Sequence, residues 1–279
     1  MEFTPKQTEA LTAVQSCKYD FILYGGAIRG GKTIWGLCTL LILCEIFPRS
    51  RWAVIRKDSE RIRKTTIPSF LKLESKGKLR QSPYEYTHYN GSVILFMGEN
   101  YDRDKDLDSF KGLEVNGFLF EEMNECQEKT LNKAFERSGT WIISKSKLQP
   151  KPIVLGTCNP TNGWVKQLIY DKWINGTLPK KWNYIPAKIT DNPHLPQDYI
   201  DSLKNLPVYE YEVYVNGNWE IQLKTGGEFW KEFELNKHVR PVQYNESATL
   251  HISIDNNVYP YIAISIWQLN SIVDIDEVI

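Results

Sequence analysis

Three kinds of signal are scarce in this sequence. Its five cysteines (Cys17, Cys38, Cys44, Cys126 and Cys158) form no Cys-x-x-Cys pair and no even framework. That excludes a disulfide scaffold and suggests free thiols in a reducing compartment. The four histidines (His88, His194, His238 and His251) are scattered, and none is assigned to a metal. Long apolar runs are missing: the longest, Leu37–Phe47, contains Glu45 and is too short to span a bilayer. The opening Met1-Glu2-Phe3-Thr4-Pro5 is no signal peptide. A soluble intracellular protein is expected. Charge of either sign is not in excess, because Lys+Arg and Asp+Glu both number 34. Nucleic-acid binding therefore does not follow from bulk charge. Locally, residues 49–64 hold seven cations (Arg49, Arg51, Arg56, Lys57, Arg61, Arg63, Lys64) against Asp58 and Glu60. Such a run reads first as a solvated helix face and second as a phosphate-contacting surface.

What is present is the composition of a globular protein, 42% hydrophobic and 24% charged over 279 residues. That is enough for one large domain or two smaller ones. Residues 26–33, Gly-Ala-Ile-Arg-Gly-Gly-Lys-Thr, match the phosphate-binding pattern G-x-x-x-x-G-K-[ST] at every fixed position. An apolar strand candidate, Phe21-Ile22-Leu23-Tyr24, precedes it, and a helix candidate from Ile34 to Leu41 follows. Gly26, Gly30 and Gly31 would let backbone N–H groups turn inward around phosphate oxygens. Lys32 would reach the β- and γ-phosphates, and Thr33 would hold Mg²⁺.

Further along, Phe118-Leu119-Phe120 reads as a buried strand ending in Glu121-Glu122. An acid at such a strand end helps organise Mg²⁺, and a second one can polarise the attacking water. Glu121 takes the metal role, through a water because glutamate is long, and Glu122 the water role. An acidic helix cap is the other reading of this pair. Gly156-Thr157-Cys158-Asn159-Pro160 ends another strand, where Thr157 and Asn159 are candidate sensors of the γ-phosphate or a plain turn. Arg29, inside the loop, offers a guanidinium for transition-state charge or a surface salt bridge. Gln7 carries an amide that can read adenine, or it is an ordinary helix glutamine.

Strands alternate with helices as far as Gly217, which predicts a mostly parallel sheet covered on both faces. A helix from Pro5 to about Cys17, and a basic helix from Asp58 to Leu73 that Pro68 kinks or splits, are expected. A hairpin is expected around Asn90-Gly91. After a connector, 250–255, 261–269 and 272–275 read as three consecutive strands of a different, antiparallel unit. Asp255 there is a metal-binding acid or a turn aspartate.

Together these residues resemble the large terminase subunit of tailed bacteriophages. The likeness runs from Thr4-Pro5-Lys6-Gln7 through the phosphate loop, the strand end Val54-Ile55-Arg56-Lys57, and Ser109-Phe110-Lys111-Gly112. It continues through Phe118–Glu122 and Gly156–Pro160 to Asp191–Leu195 and Gly217-Asn218-Trp219. The resemblance implies an α/β P-loop NTPase of RecA/ASCE type over 1–221, with a small helical lid near 195–217. A connector over 222–247 and the first strands of an RNase H-like nuclease over 248–279 would follow. It implies ATP and Mg²⁺ as cofactors, with Gln7 at the adenine, Glu121 as Walker B acid, Glu122 as catalytic acid, and Thr157 and Asn159 as the coupling motif. It implies an ATPase that drives double-stranded DNA into a procapsid in the host bacterial cytoplasm. Portal protein, small terminase subunit and a homo-oligomeric ring, a pentamer in the family, would be its partners, with no membrane. Asp255 would be the first acid of a two-metal nuclease site using Mg²⁺ or Mn²⁺. The tip Asp255-Asn256-Asn257 departs from the family's Asp-x-Gly pattern, and the sequence ends before the remaining acids, so the nuclease is expected to be incomplete. Two alternatives stay open. A helicase-like ATPase would need a second RecA-like half, which nothing after residue 220 supplies. A non-catalytic assembly fragment of a split terminase would not hydrolyse ATP.

Overall fold

Short apolar runs between turn residues become strands of one eight-stranded sheet. The computed structural model describes residues 2–74, 76–221, 235–239, 241, 243–256 and 262–268. The strands are β1 (Phe21–Gly26), β2 (Arg51–Arg56), β3 (Lys78–Gln81), β4 (Tyr84–Thr87), β5 (Val93–Gly98), β6 (Gly117–Phe120), β7 (Ile153–Cys158) and β8 (Trp182–Ala187). Their order across the sheet is β3-β4-β5-β2-β6-β7-β1-β8. From β5 to β8 every pairing is parallel; β3 and β4 add an antiparallel edge.

β1, β6 and β7 are buried at every residue, which is why their sequences are continuously apolar rather than alternating. Successive side chains go to opposite faces. Ile22, Tyr24, Val54, Leu119 and Leu155 pack with Trp35, Leu37 and Leu40 of helix α2 (Lys32–Ile46). Phe21, Leu23, Ile55, Phe118 and Val154 pack on the other face with Leu131 and Ala134 of the helix Glu128–Arg137. The sheet is thus covered on both sides, as expected.

The strand order positions the chemistry. The loop-bearing β1 and the acid-bearing β6 are not neighbours, because β7 lies between them. Gly25 stands beside Cys158 of β7, and Phe120 beside Gly156. Three strand tips therefore open side by side.

Helix α1 (Pro5–Gln15) stops two residues short of the expected Cys17, which adopts a positive φ of 52°. The hairpin around Asn90-Gly91 forms between β4 and β5, while β3 carried no expectation. Asp58 caps the helix after β2 by accepting from the Arg61 N–H. That helix is not split at Pro68. Residues 59–73 continue through a π turn, Ile62–Thr66, in which Ile67 N–H reaches the Ile62 carbonyl. The wide turn opens the helix just before the proline, whose ring would otherwise meet the carbonyl four residues back.

The chain divides into two compact units, residues 1–223 and 224–279. In the second, a helical turn (Leu235–His238) precedes β9 (Leu250–Asn256) and β10 (Ile262–Gln268), which pair antiparallel. The third strand expected at 272–275, and most of the connector, lie outside the described residues. Among the described residues no helix is long and apolar enough to cross a membrane.

Candidate active site

The 26–33 segment is the turn from β1 into α2. Gly26 and Gly31 have φ of +138° and +76°. A Cβ at Gly26 would stand 2.2 Å from the Ala187 carbonyl oxygen, and one at Gly31 2.4 Å from the Gln7 amide nitrogen. Both positions exclude a side chain. The loop is also held from outside: Ala27 N–H donates to Ala187 O (2.8 Å), Ile28 N–H to Tyr214 O (2.7 Å), and the Tyr24 hydroxyl to Gly30 O (3.0 Å). Ala27 packs with Ile189, Leu203 and Val215, which ties the short helices Gln197–Leu203 and Val208–Tyr214 to the loop.

Lys32 is 6% exposed, and its ammonium donates to the carbonyls of Gly26 (3.1 Å) and Ala27 and to Asn159 Oδ1 (3.0 Å). Burial pushes its pKa down, against the pull of Glu122. The other end of the Asn159 amide donates to both Glu122 oxygens, at 3.4 and 3.3 Å. The cation on one side and the carboxylate on the other fix which way this amide faces. Glu122 sits at a left-handed φ of 52°, with its N–H donating to Thr157 Oγ1 at 3.3 Å. Loss of water around its carboxyl raises its pKa, while Lys32 and Arg56 oppose the shift.

Glu121 turns the other way and is 5% exposed. Its Oε1 accepts from Thr33 Oγ1 (3.1 Å), its Oε2 accepts from the Thr66 hydroxyl, and Arg56 lies 3.9 Å from Oε2. A hydroxyl and a carboxylate side by side are hard oxygen donors suited to Mg²⁺, which is commonly held by one or two carboxylates plus phosphates and waters. The described residues contain no group of three or more His, Cys, Asp or Glu able to hold a metal by themselves. A phosphate-bound cation fits this donor set and a caged structural metal does not.

The structure thus brings Gly26, Gly30, Gly31, Lys32, Thr33, Glu121, Glu122, Thr157 and Asn159 together at the tips of β1, β7 and β6. Gln7 reaches the site by another route. Its Nε2 donates to Gly31 O (2.9 Å), and its Oε1 accepts from Thr4 N–H (3.0 Å) in a capping box. Arg29 turns away: it is exposed, with its guanidinium 4.7 Å over the Tyr199 ring. Asp255 lies in β9 of the second unit, its backbone opposite Ala263.

The basic run 49–64 does not form one patch. Arg51 and Arg56 stand at opposite ends of β2, about 17 Å apart at the usual rise per residue. Arg51 lies over the Trp141 ring (5.4 Å). Arg56 pairs with Glu121 and Glu125, Arg61 with Asp58 and Glu125, and Lys64 with Glu60. Sequence reasoning missed Thr66 and the inward role of Arg56. Thr66 carries no signal in a run of cations, and Arg56 showed only as a strand end and as one cation of that run.

This loop, acid pair and intervening strand define a P-loop ATPase fold of the RecA/ASCE class. The family model for the phage terminase large subunit matches residues 20–217, and the chain belongs to that family. Among solved structures, the large terminase of a thermophilic bacteriophage in complex with ATP-gamma-S is similar at 19% identity and a TM-score of 0.61. That alignment covers 97% of this chain and 65% of the relative, so the chain spans about two thirds of its length. The HK97 bacteriophage large terminase aligns over 78% of this chain and 50% of its own, at 11% identity and a TM-score of 0.57. The large terminase ATPase domain of Thermus phage P74-26 aligns over 75% of this chain and 92% of its own, at 13% identity and a TM-score of 0.53. No curated protein matches.

Proposed function

We propose that this chain is the ATP-hydrolysing motor subunit that moves double-stranded viral DNA into a procapsid. The observation that carries the reading is the single amide of Asn159, bonded at once to the phosphate-loop lysine and to Glu122. Lys32 neutralises the β- and γ-phosphates of ATP, and Glu122 takes the proton of the attacking water. Thr33 and Glu121 would hold Mg²⁺, which would draw charge from the phosphate oxygens. Thr157 and Asn159 tie the position of Glu122 to that of Lys32. Arg29, released from Tyr199, or an arginine of a neighbouring subunit offsets transition-state charge. Gln7 meets the adenine. Family membership supports DNA, portal protein, small terminase subunit and a homo-oligomeric, pentameric ring as partners, in the host bacterial cytoplasm. ATP-gamma-S in the thermophilic bacteriophage relative supports ATP as the nucleotide.

In the same reading, residues 1–221 are the ATPase domain with 195–217 as its lid and 222–247 as the connector. Residues 248–279 begin an RNase H-like nuclease with Asp255 as its first acid for Mg²⁺ or Mn²⁺. DNA is held mainly by its phosphates, since packaging ignores sequence.

The test is DNA-stimulated ATP hydrolysis by Lys32→Ala. Loss of turnover in a variant with unchanged circular dichroism is expected. Wild-type turnover in that variant overturns the reading.

A further inference from the structure

Glu121 offers two oxygens, and the structure treats them differently. Oε1 faces Thr33 of the phosphate loop. Oε2 is bonded by the Thr66 hydroxyl. Arg56, at 3.9 Å from Oε2, is beyond hydrogen-bonding range, so Thr66 is the close donor on that side. Thr66 is fully buried. It closes the π turn Ile62–Thr66. In the same turn, Thr65 accepts from Arg56 and donates to the Arg61 carbonyl (2.8 Å). Two successive threonines on one turn therefore serve the two charged groups at the tips of β2 and β6. Nothing in the sequence run marks them, since they follow Arg61, Arg63 and Lys64 in a segment of surface character.

We propose that Thr66 is a positioning and metal-specificity residue: it holds Glu121 Oε2 so that the carboxylate presents Oε1 alone beside Thr33. The inference rests on the reading of Glu121 as the metal-side acid. Its consequence concerns which cation the site accepts. Mg²⁺ takes near-octahedral geometry with single oxygens and retained waters, whereas Ca²⁺ accepts carboxylates through both oxygens and a larger shell. A carboxylate with one oxygen held by a protein hydroxyl has a single oxygen left for the ion or for a water on it, which suits the smaller, more hydrated Mg²⁺. Partners of this kind also orient metal ligands, and their removal typically costs about 10–100-fold in metal affinity.

The experiment measures binding of a fluorescent ATP analogue to the full chain at fixed nucleotide, titrating Mg²⁺ and, separately, Ca²⁺. Hydrolysis is not the readout. For Thr66→Val, the Mg²⁺ midpoint is expected to rise about tenfold while the Ca²⁺ midpoint changes less, so that the preference for Mg²⁺ narrows. Thr66→Ser, which keeps the hydroxyl, is expected to restore both midpoints. Thr66→Ala gives the same comparison should valine disturb folding. Equal Mg²⁺ midpoints in wild type and in the hydroxyl-free variants overturn the proposal. So does a serine variant that behaves like valine. Wild-type binding that ignores both metals overturns the proposal and the functional reading together. Metal-dependent wild-type binding with unresponsive Thr66 variants overturns the proposal alone.

Discussion

The sheet of the first unit and the hairpin of the second hold their apolar residues in opposite ways. Leu119, Phe120 and Leu155 are at most 1% exposed, sealed by helices on both faces. Ile252, Ile254, Ile264 and Ile266 of β9 and β10 are 57, 64, 59 and 63% exposed. Among the described residues of that unit there are two strands, and two strands alone cannot cover their own faces. The lesson concerns precision. Lys32, Asn159 and Glu122 meet across three strand tips, and such a meeting needs strands fixed from both sides. The first unit supplies that fixation, which is what the proposed ATP chemistry requires.

The comparison can be broken most directly in the core. Leu119→Ala is expected to destabilise the first unit by about 2–5 kcal/mol, the cost of a buried cavity, read from urea unfolding. A loss comparable to a surface change would mean that the strands are not the rigid frame described above. The tips themselves come next. Glu122→Gln is expected to bind ATP normally yet hydrolyse it at least about a hundredfold more slowly, the size of a positioned base. If Glu121→Gln instead blocks chemistry at saturating Mg²⁺ while Glu122→Gln is neutral, the two roles are reversed.

Desolvation of Glu122 adds a pH signature. A raised folded pKa keeps the carboxyl protonated, and useless as a base, to higher pH. Turnover should therefore climb above the ordinary glutamate range, near pH ~4.3, rather than within it. Stability carries the opposite sign. The folded carboxyl binds its proton more tightly than the unfolded one, so its contribution falls as pH rises through the shifted value. A pH–rate profile whose acid limb sits at the usual carboxylate position would show that burial does not govern this group.

Smaller effects are expected on the surface. Arg63 is exposed on the π turn, and Arg63→Glu should weaken duplex DNA binding alike for all sequences. The salt dependence should lose about one unit of slope. A preference for one short site would point to a different use of this helix. The smallest change is expected in the hairpin. Ile254→Thr should alter the unfolding free energy of the first unit by less than about 0.5 kcal/mol. A large effect there would show that the two units share their stability.

Residues that act together as neighbours in sequence were legible. The loop 26–33, the pair Glu121-Glu122 and the tip Thr157–Asn159 each sit at the end of an apolar run, and the structure puts each at a strand tip. Residues that meet across the fold were not. Thr66 and Glu121 are 55 positions apart, and only the order of the strands brings the helix after β2 to the tip of β6. Arg29 lies inside a legible motif, yet its left-handed backbone and the Tyr199 ring decide where its guanidinium points. The basic run does not gather into one patch for a related reason. A strand runs through it, so Arg51 and Arg56 stand at opposite ends of the sheet.

Gln7 joins the N-terminal helix to the phosphate loop, and its amide has one donor end and one acceptor end. The donor clasps Gly31, and the acceptor secures the first turn of α1. An amide carries a second N–H and a second lone pair beyond these two bonds. In the proposed reading a purine would therefore meet a side chain already oriented by the protein's own backbone, with no bond to displace. A base held there would tie the start of α1 and the loop to the nucleotide at once.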